Sequence, residues 1–513
     1  MWQRFTKEDV KVVVHYLGVL MVYSSLALLI PFFTGVFFKE WIPASHYLQA
    51  AGLTLIIGNI MRFAKASPGK LTRRQALGVT GLSWIVLALL ASIPLYASGH
   101  YSEFSDAVFD GVSGLTTTGA SVVGDLDHLS NADNMFRFVM HYFGGLGLIV
   151  VALSIGLFGR RIDASLYSSE GRSEHIVPNV VQTTRFIARF SNVIIIAASV
   201  IVATVFLGIG MEPSRAILHG FWLSLSGFLT GGFAPMADSV SAYHSITVEI
   251  ILMVLMLLGS VNFAVYMEVR KGNVDRFFKD IEIKTMGLWL IVATVILAAS
   301  LCASKIFNEL PTMLSRGLFM IIASATTTGF QNVTANQLTT VFSSGAFLVL
   351  AILMAVGGCS GSTTGGIKAR RIGLNAKAII ATIKEALSPE SARVVVTYYH
   401  IGRRVLNSDA VKESMTVFSL FVVTIVGGAL VGIAYGYEAT TAIFESAAMT
   451  SNGGLTAGII SPGMPAGLEI IYILQMWAGR LEFVTLLAIF AEIFVTLSPK
   501  KKPEFLKKRK GGM

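Results

Sequence analysis

Long apolar blocks alternate along this chain with short polar segments, and the blocks have the length of membrane helices. Phe190 to Met211, Thr285 to Ser304 and Ser414 to Tyr437 hold no Asp, Glu, Lys or Arg. A helix needs about 20 such residues to cross a hydrocarbon core of roughly 30 Å. The pattern predicts ten spans: 12–30, 47–62, 76–96, 135–158, 190–210, 244–268, 285–304, 341–380, 412–434 and 467–496. Those at 341–380 and 467–496 exceed the roughly 25 residues of a single crossing, so each is expected to tilt, bend or run past the lipid.

The connections carry a second pattern. After the spans at 76–96, 190–210, 285–304 and 412–434 the chain is too apolar for a solvated loop and too long for a hairpin. Each stretch holds a short apolar helix candidate that runs into small and hydroxyl residues, at 107–119, 216–232, 318–329 and 442–454, and a full span follows. The unit helix, half-helix, glycine segment, helix thus occurs four times, with Gly119, Gly232, Gly329 and Gly454 separated by 113, 97 and 125 residues. Uneven spacing marks diverged repeats with loop insertions rather than a solenoid. The expected fold is an all-α polytopic membrane protein, with four helix–pore-loop–helix repeats around a central pore and two extra transmembrane helices before them. The repeats are expected at 76–189, 190–283, 284–411 and 412–513, after an N-terminal pair in 1–75.

Composition narrows the class. The 513 residues are 54% hydrophobic and 14% charged, against about 25% charged in soluble chains. Soluble enzyme, secreted disulfide scaffold and disordered tail are excluded. Cys302 and Cys359 lie in apolar segments and build neither a disulfide framework nor a zinc site. The stretch after Arg4, Lys7 and Lys11 reads as a retained first helix, since no small-residue cleavage pattern follows it. The net charge of +10 invites a nucleic-acid reading, yet 34 of the 40 Lys and Arg residues fall in loops on one side of the spans. Basic loops face the cytoplasm, which puts both termini there and accounts for the charge without nucleic acid. Loop 366–410 and the tail from Lys500 to Lys510 suit either anionic lipid or an acidic partner.

Glycine, at 49 residues, is in excess. A half-helix that stops inside the membrane leaves unpaired carbonyls and a partly negative end, tolerated only where it lines a cavity or is buried in protein. Four such ends converging on an axis attract a cation, and the carbonyls that follow replace its water shell. Glycine permits the positive φ angles that point successive carbonyls one way. The expected filter is Thr117, Thr118 and Gly119; Gly231 and Gly232; Thr328 and Gly329; Gly453 and Gly454. Thr hydroxyls there add oxygen ligands or brace the backbone. K⁺ would sit against Thr118, Gly119, Gly232, Thr328, Gly329 and Gly454. Glu103, Asp106, Asp110, Asp125, Asp127 and Asp133 could concentrate cations at the mouth.

With those segments, the sequence resembles the Trk/Ktr/HKT superfamily of potassium transporters, and within it the Trk-type membrane subunit. The likeness extends to His141–Gly147 after the first segment, Gly259–Phe263 after the second, Gly357–Lys368 after the third and Trp477–Glu482 after the fourth. It implies K⁺ as the transported ion, with no tightly bound organic cofactor. It also implies a homodimer in a bacterial inner membrane, gated by a cytoplasmic ring of nucleotide-binding regulatory subunits. Glycine at all four filter positions goes with potassium permeability in that family.

The expected gate has two parts. Gly357, Gly358, Gly361, Ser362, Gly365 and Gly366 interrupt the second helix of the third repeat, because such a run does not hold a stable helix. Arg480 is a lone base deep in a span; facing the pore it would repel a cation, whereas Glu482 or Glu445 would be its partner in a structural pair. The glycine run lacks the Gly-Lys-Ser/Thr ending of a phosphate loop. An intramembrane hydrolase built on Ser360 or Ser362 finds no supporting His and Asp. A secondary symporter coupling K⁺ to H⁺ or Na⁺ would need more midplane titratable groups than Glu482, Glu492, Glu249 and His141 supply.

Overall fold

The computed structural model describes residues 6–64, 71–147, 150, 153, 180–304, 310–389, 391–392 and 394–497. The second half of the span expected at 135–158, the loop 159–179, Lys305 and the basic tail lie almost wholly outside them. Apart from one two-stranded hairpin, 397–400 with 402–405, the regular elements among these residues are helical.

Two N-terminal helices, Lys7–Ala27 and Trp41–Arg62, form an antiparallel pair joined through the helix Leu29–Phe37. They cross where Gly18 and Gly58 meet, with Gly18 too close to the Gly58 carbonyl to admit a side chain. Small residues at such crossings maximise packing, which is the main attraction between helices in lipid.

Each of the four units then begins with an outer helix: Arg73–Ala97, Val180–Gly208, Ile281–Ser304 and Ser408–Ala434. A short helix follows: Phe104–Leu115, Pro213–Phe228, Leu310–Ala325 and Ala439–Thr450. Acidic residues begin three of these, Glu103, Glu212 and Glu438 as N-caps, where they oppose the positive end of the helix dipole. Small residues again set the packing on the outer helix, with Gly111 against the Ala88 carbonyl, Gly220 against Ala203 and Gly432 against Ala442. One aromatic from each short helix is buried at the same register: Phe109, Trp222, Phe319 and Phe444. Each stands ten residues before its glycine, a repeat that the apolar pattern alone conceals.

The inner helices of the units differ from the expectation. A break was expected in the third and a tilt, bend or overrun in the fourth, yet the second also runs as Ile246–Ser260 and Phe263–Arg270 with a bend of 93°. The third runs as Ser344–Val356 and Ala369–Leu387, and the fourth as Ala466–Arg480 and Val484–Leu497. In the first, Asn131–Leu146 ends at Gly147 with φ of +89°. Among the described residues, five helices are long and apolar enough to cross a membrane unaided, and the bent pair makes a sixth. Of the other expected crossings, 47–62 lies in the single helix Trp41–Arg62, and those at 341–380 and 467–496 are each built from two shorter helices. Broken backbone survives at this depth because it is buried in protein.

The units close into a ring. The inner helices Asn131–Leu146, Ile246–Ser260 and Ser344–Val356 pack on the short helices of the next units, and Ala466–Arg480 returns to Phe104–Leu115 of the first.

Candidate functional site

The four short helices end alike. Thr118 donates its N–H to Ser113 O at 2.9 Å, Gly231 to Ser226 O at 2.8 Å, Thr328 to Ala323 O at 2.9 Å and Gly453 to Ala448 O at 2.7 Å. This six-residue closure is a Schellman cap, which needs a left-handed residue just before the donor. That residue is Thr117 (φ +55°), Thr230 (+50°), Thr327 (+49°) and Asn452 (+54°). Glycine is joined by other residues at positive φ: each segment has two left-handed residues, and the first is Thr or Asn. A β-branched residue there is strained by roughly 1–2 kcal/mol.

Side-chain anchors hold the strained residues. Thr117 Oγ1 accepts from Arg480 Nη1 at 3.2 Å. Thr230 Oγ1 donates to Thr363 Oγ1 at 3.0 Å, and Thr327 Oγ1 accepts the Gly365 N–H at 2.8 Å. Asn452 Nδ2 donates to Met476 O at 2.9 Å and Thr118 Oγ1 at 3.1 Å. The hydroxyls of Thr118 and Thr328 bond those of Thr116 and Thr326 at 2.8 and 2.7 Å. These side chains brace the backbone.

The second left-handed residues are Gly119, Gly232, Gly329 and Gly454, with φ between +60° and +88°. A methyl added to Gly119 would strike Gly231 O; on Gly232, Thr328 O; on Gly329, Gly453 O; on Gly454, Thr118 O. Every contact runs from one segment to the residue before the glycine of the next, and the fourth returns to the first. The backbone thus forms a closed ring of four glycines on four carbonyls. In units one, two and four a further glycine seats the inner helix on its own short helix: Gly144 on Leu115 O, Gly259 on Phe228 O and Gly479 on Thr450 O.

Beyond the ring, two buried carboxylates occupy one register. Asp110 accepts from Val122 N–H at 2.9 Å and Ser121 Oγ at 2.7 Å. Glu445 Oε1 accepts from Ala457 N–H at 2.7 Å and Thr456 Oγ1 at 2.8 Å. Each stands nine residues before its glycine and clamps the stretch that follows it. Asp110 is therefore not a mouth charge, and Glu445 is committed away from Arg480. Asp133 is likewise buried, accepting from Tyr47 Oη at 2.6 Å. Arg137 is buried over the Phe233 ring at 4.0 Å and lies 3.9 Å from Asp110.

Against the ring lies the glycine-rich loop. Its neck is closed by Ile367 N–H to Ala355 O and Lys368 N–H to Val356 O, both 2.9 Å, with Gly357 against Gly365 and Gly366. It docks in the break of unit two: Cys359 N–H reaches Ser260 O at 2.9 Å, and Thr363 Oγ1 reaches Gly259 O at 2.9 Å. Gly358 lies on Ser260, Gly361 beside Asn262, and Gly365 against Ser451 O. Ser362 Oγ donates to Cys359 O at 2.6 Å. Arg480 ties the parts together, donating to Thr117 Oγ1, to Thr363 O at 3.3 Å and to Gly144 O. Glu482 is held by Arg371 Nη2 at 2.5 Å. A cavity of about 40 Å³ remains, lined by Gly361, Ser362, Thr364, Lys368, Arg480 and Glu482 among others.

An all-α polytopic membrane protein with a ring of backbone carbonyls at its centre is built for moving a small ion, and comparisons with known proteins agree. The chain belongs to the TrkH family, described as cation transport proteins, whose model matches residues 45–496; the family is one of transporters, not enzymes. An uncharacterized cation transporter of Methanocaldococcus jannaschii is 28% identical over 97% of this chain and 99% of its own length. The Trk system potassium uptake protein TrkH of Halomonas elongata is 27% identical, covering 95% and 99%. That of Salmonella typhimurium is 25% identical, covering 94% and 99%. The crystal structure of the potassium transporter TrkH from Vibrio parahaemolyticus shares the fold, with a TM-score of 0.79 at 24% identity over 95% of this chain and 98% of that one.

Proposed function

We propose that this chain takes up potassium through a channel-like path along the axis of the four units. The observation that carries the reading is the closed ring of Gly119, Gly232, Gly329 and Gly454 on the carbonyls of Gly231, Thr328, Gly453 and Thr118. Carbonyls held by backbone packing replace a cation's water shell without rearrangement, and the negative ends of four short helices favour positive charge there. K⁺ is the ion in the names of the Trk relatives. It would meet Thr118, Gly119, Gly232, Thr328, Gly329 and Gly454.

The loop 357–366 and Arg480 form the gate. Their bonds to Thr117, Thr230 and Thr327 mean that the loop cannot move without releasing the residues that brace the ring. Carboxylates of the spans support a channel over a proton-coupled symporter, since Glu445 and Glu482 are held by structural partners. The basic loops favour cytoplasmic termini, and we divide the four units at 76–189, 190–283, 284–411 and 412–513. A homodimer in the bacterial inner membrane, served by a cytoplasmic nucleotide-binding ring, completes the proposal by likeness to Trk systems.

The test is ion flux in vesicles carrying the purified protein, with K⁺, Rb⁺, Na⁺ and Cs⁺. K⁺ and Rb⁺ should outrun Na⁺, and Gly119→Ser should abolish that preference, because its side chain meets Gly231 O. Selectivity unchanged in Gly119→Ser would remove the ring from the ion path.

A further inference from the structure

Below the glycine-rich loop, on the basic side, three metal-ligating side chains from distant segments converge. Asp280 caps the start of Ile281–Ser304, Glu282 lies in its first turn, and His400 ends the first strand of the hairpin 397–405. All three are buried, at 1%, 0% and 0% exposure. His400 Nδ1 stands 3.2 Å from Asp280 Oδ2 and 4.0 Å from Glu282 Oε2, and one donor atom from each residue lies within 4.8 Å of the others. A tetrahedral ion with bonds of 2.0–2.2 Å sets its ligands about 3.3–3.6 Å apart, so a small inward shift of Glu282 completes one face of such a site.

We propose that Asp280, Glu282 and His400 bind a divalent cation of the zinc class. The donor set of one imidazole nitrogen and two carboxylates suits that ion, and a fourth position would be left to water. The carboxylates are oriented by further hydrogen bonds, as ligating carboxylates usually are. Glu282 N–H donates to Asp280 Oδ1 at 2.9 Å, and Ile401 N–H to Asp280 Oδ2 at 3.1 Å. Asn262 Nδ2 donates to Glu282 Oε2 at 3.2 Å, and Ser360 N–H to Glu282 Oε1 at 2.8 Å. Ile401 is left-handed at φ +57°, a conformation a β-branched residue keeps only where its surroundings hold it.

The last of those bonds gives the site a consequence. Ser360 belongs to the glycine-rich loop, and Asn262 to the break on which that loop docks. An ion on Glu282 would couple the hairpin to the loop and favour its docked arrangement. This consequence rests on the gate proposed above; the metal site does not.

Purified full-length protein, equilibrated with micromolar free Zn²⁺ and then gel-filtered, should retain about one zinc ion per chain by elemental analysis. His400→Ala and Glu282→Gln should retain at least tenfold less. Glu282→Gln keeps an acceptor for Ser360 and so removes a ligand with little cost to the fold; melting without zinc checks each variant. Zinc should raise the melting temperature of the unmodified protein by several degrees and leave both variants unmoved. No zinc retained, or equal retention in folded variants, overturns the site. Zinc should also slow Rb⁺ uptake in the unmodified protein and not in His400→Ala. Bound zinc without that effect overturns the coupling to the loop and leaves the metal site standing.

Discussion

Gly454 rests on the carbonyl of Thr118, and through that contact the last unit of the chain closes on the first. A side chain on Gly454 has nowhere to go, because the obstacle is backbone from another unit and the residue is left-handed at φ +60°. Gly454→Ala should therefore open the ring rather than shift one side chain. Strain and displacement together should cost about 2–4 kcal/mol. Rb⁺ uptake into vesicles should fall at least tenfold, with the protein still folded by gel filtration.

Arg480 bonds three parts at once: Thr117 of the first segment, Thr363 of the loop and Gly144 of the first inner helix. Arg480→Ala removes both the bonds and the charge beside the cavity. Basal flux should rise about tenfold, equivalent to about 1.4 kcal/mol from the barrier. Arg480→Lys keeps the charge and loses the forked geometry, so its flux should fall between the two. Basal flux equal to that of the unmodified protein in Arg480→Ala would take this side chain out of the gate.

Thr363 holds the loop to the second unit through Gly259 O at 2.9 Å and Phe228 O at 3.3 Å. Thr363→Val has nearly the same shape and no hydroxyl. Losing these bonds should weaken docking by about 1–2 kcal/mol and raise the open fraction roughly five- to thirtyfold. Single-channel recording checks this: open probability should increase.

Arg371 and Glu482 form a largely buried pair, 14% and 21% exposed. Removing the base alone leaves the acid only the neighbouring Lys368 and Arg480, at a cost of about 1–3 kcal/mol. Arg371→Met should lower the melting temperature sharply, whereas Arg371→Met with Glu482→Leu should recover most of it. A double variant as unstable as the single one would mean that the carboxylate is not the source of the loss.

The carboxylate clamps predict a paired result. Asp110→Ala and Glu445→Ala each leave without a side-chain acceptor the backbone N–H groups now bonded at 2.9 and 2.7 Å. Each should cost about 1–3 kcal/mol, and both should blunt discrimination of K⁺ from Na⁺ in competitive uptake. An effect in only one unit would show that the two clamps are unequal.

The membrane class, the fourfold recurrence and the glycines of the ring are legible in the sequence, because burial in lipid and positive φ act on a segment by itself. A run such as Ser414 to Tyr437 must be lipid-buried wherever its neighbours lie, and Gly357 to Gly366 must break a helix. Other decisions needed the tertiary structure. The left-handed Thr117, Thr230 and Thr327 carry no local signal, since each is stable there only through its partner in Arg480, Thr363 or Gly365. The breaks near Asn262 and Glu482 are set by what packs into them. Arg371 finds Glu482 across 111 residues, and His400 finds Asp280 across 120. Such pairings depend on which distant helices meet, and closure of the four units into a ring decides that.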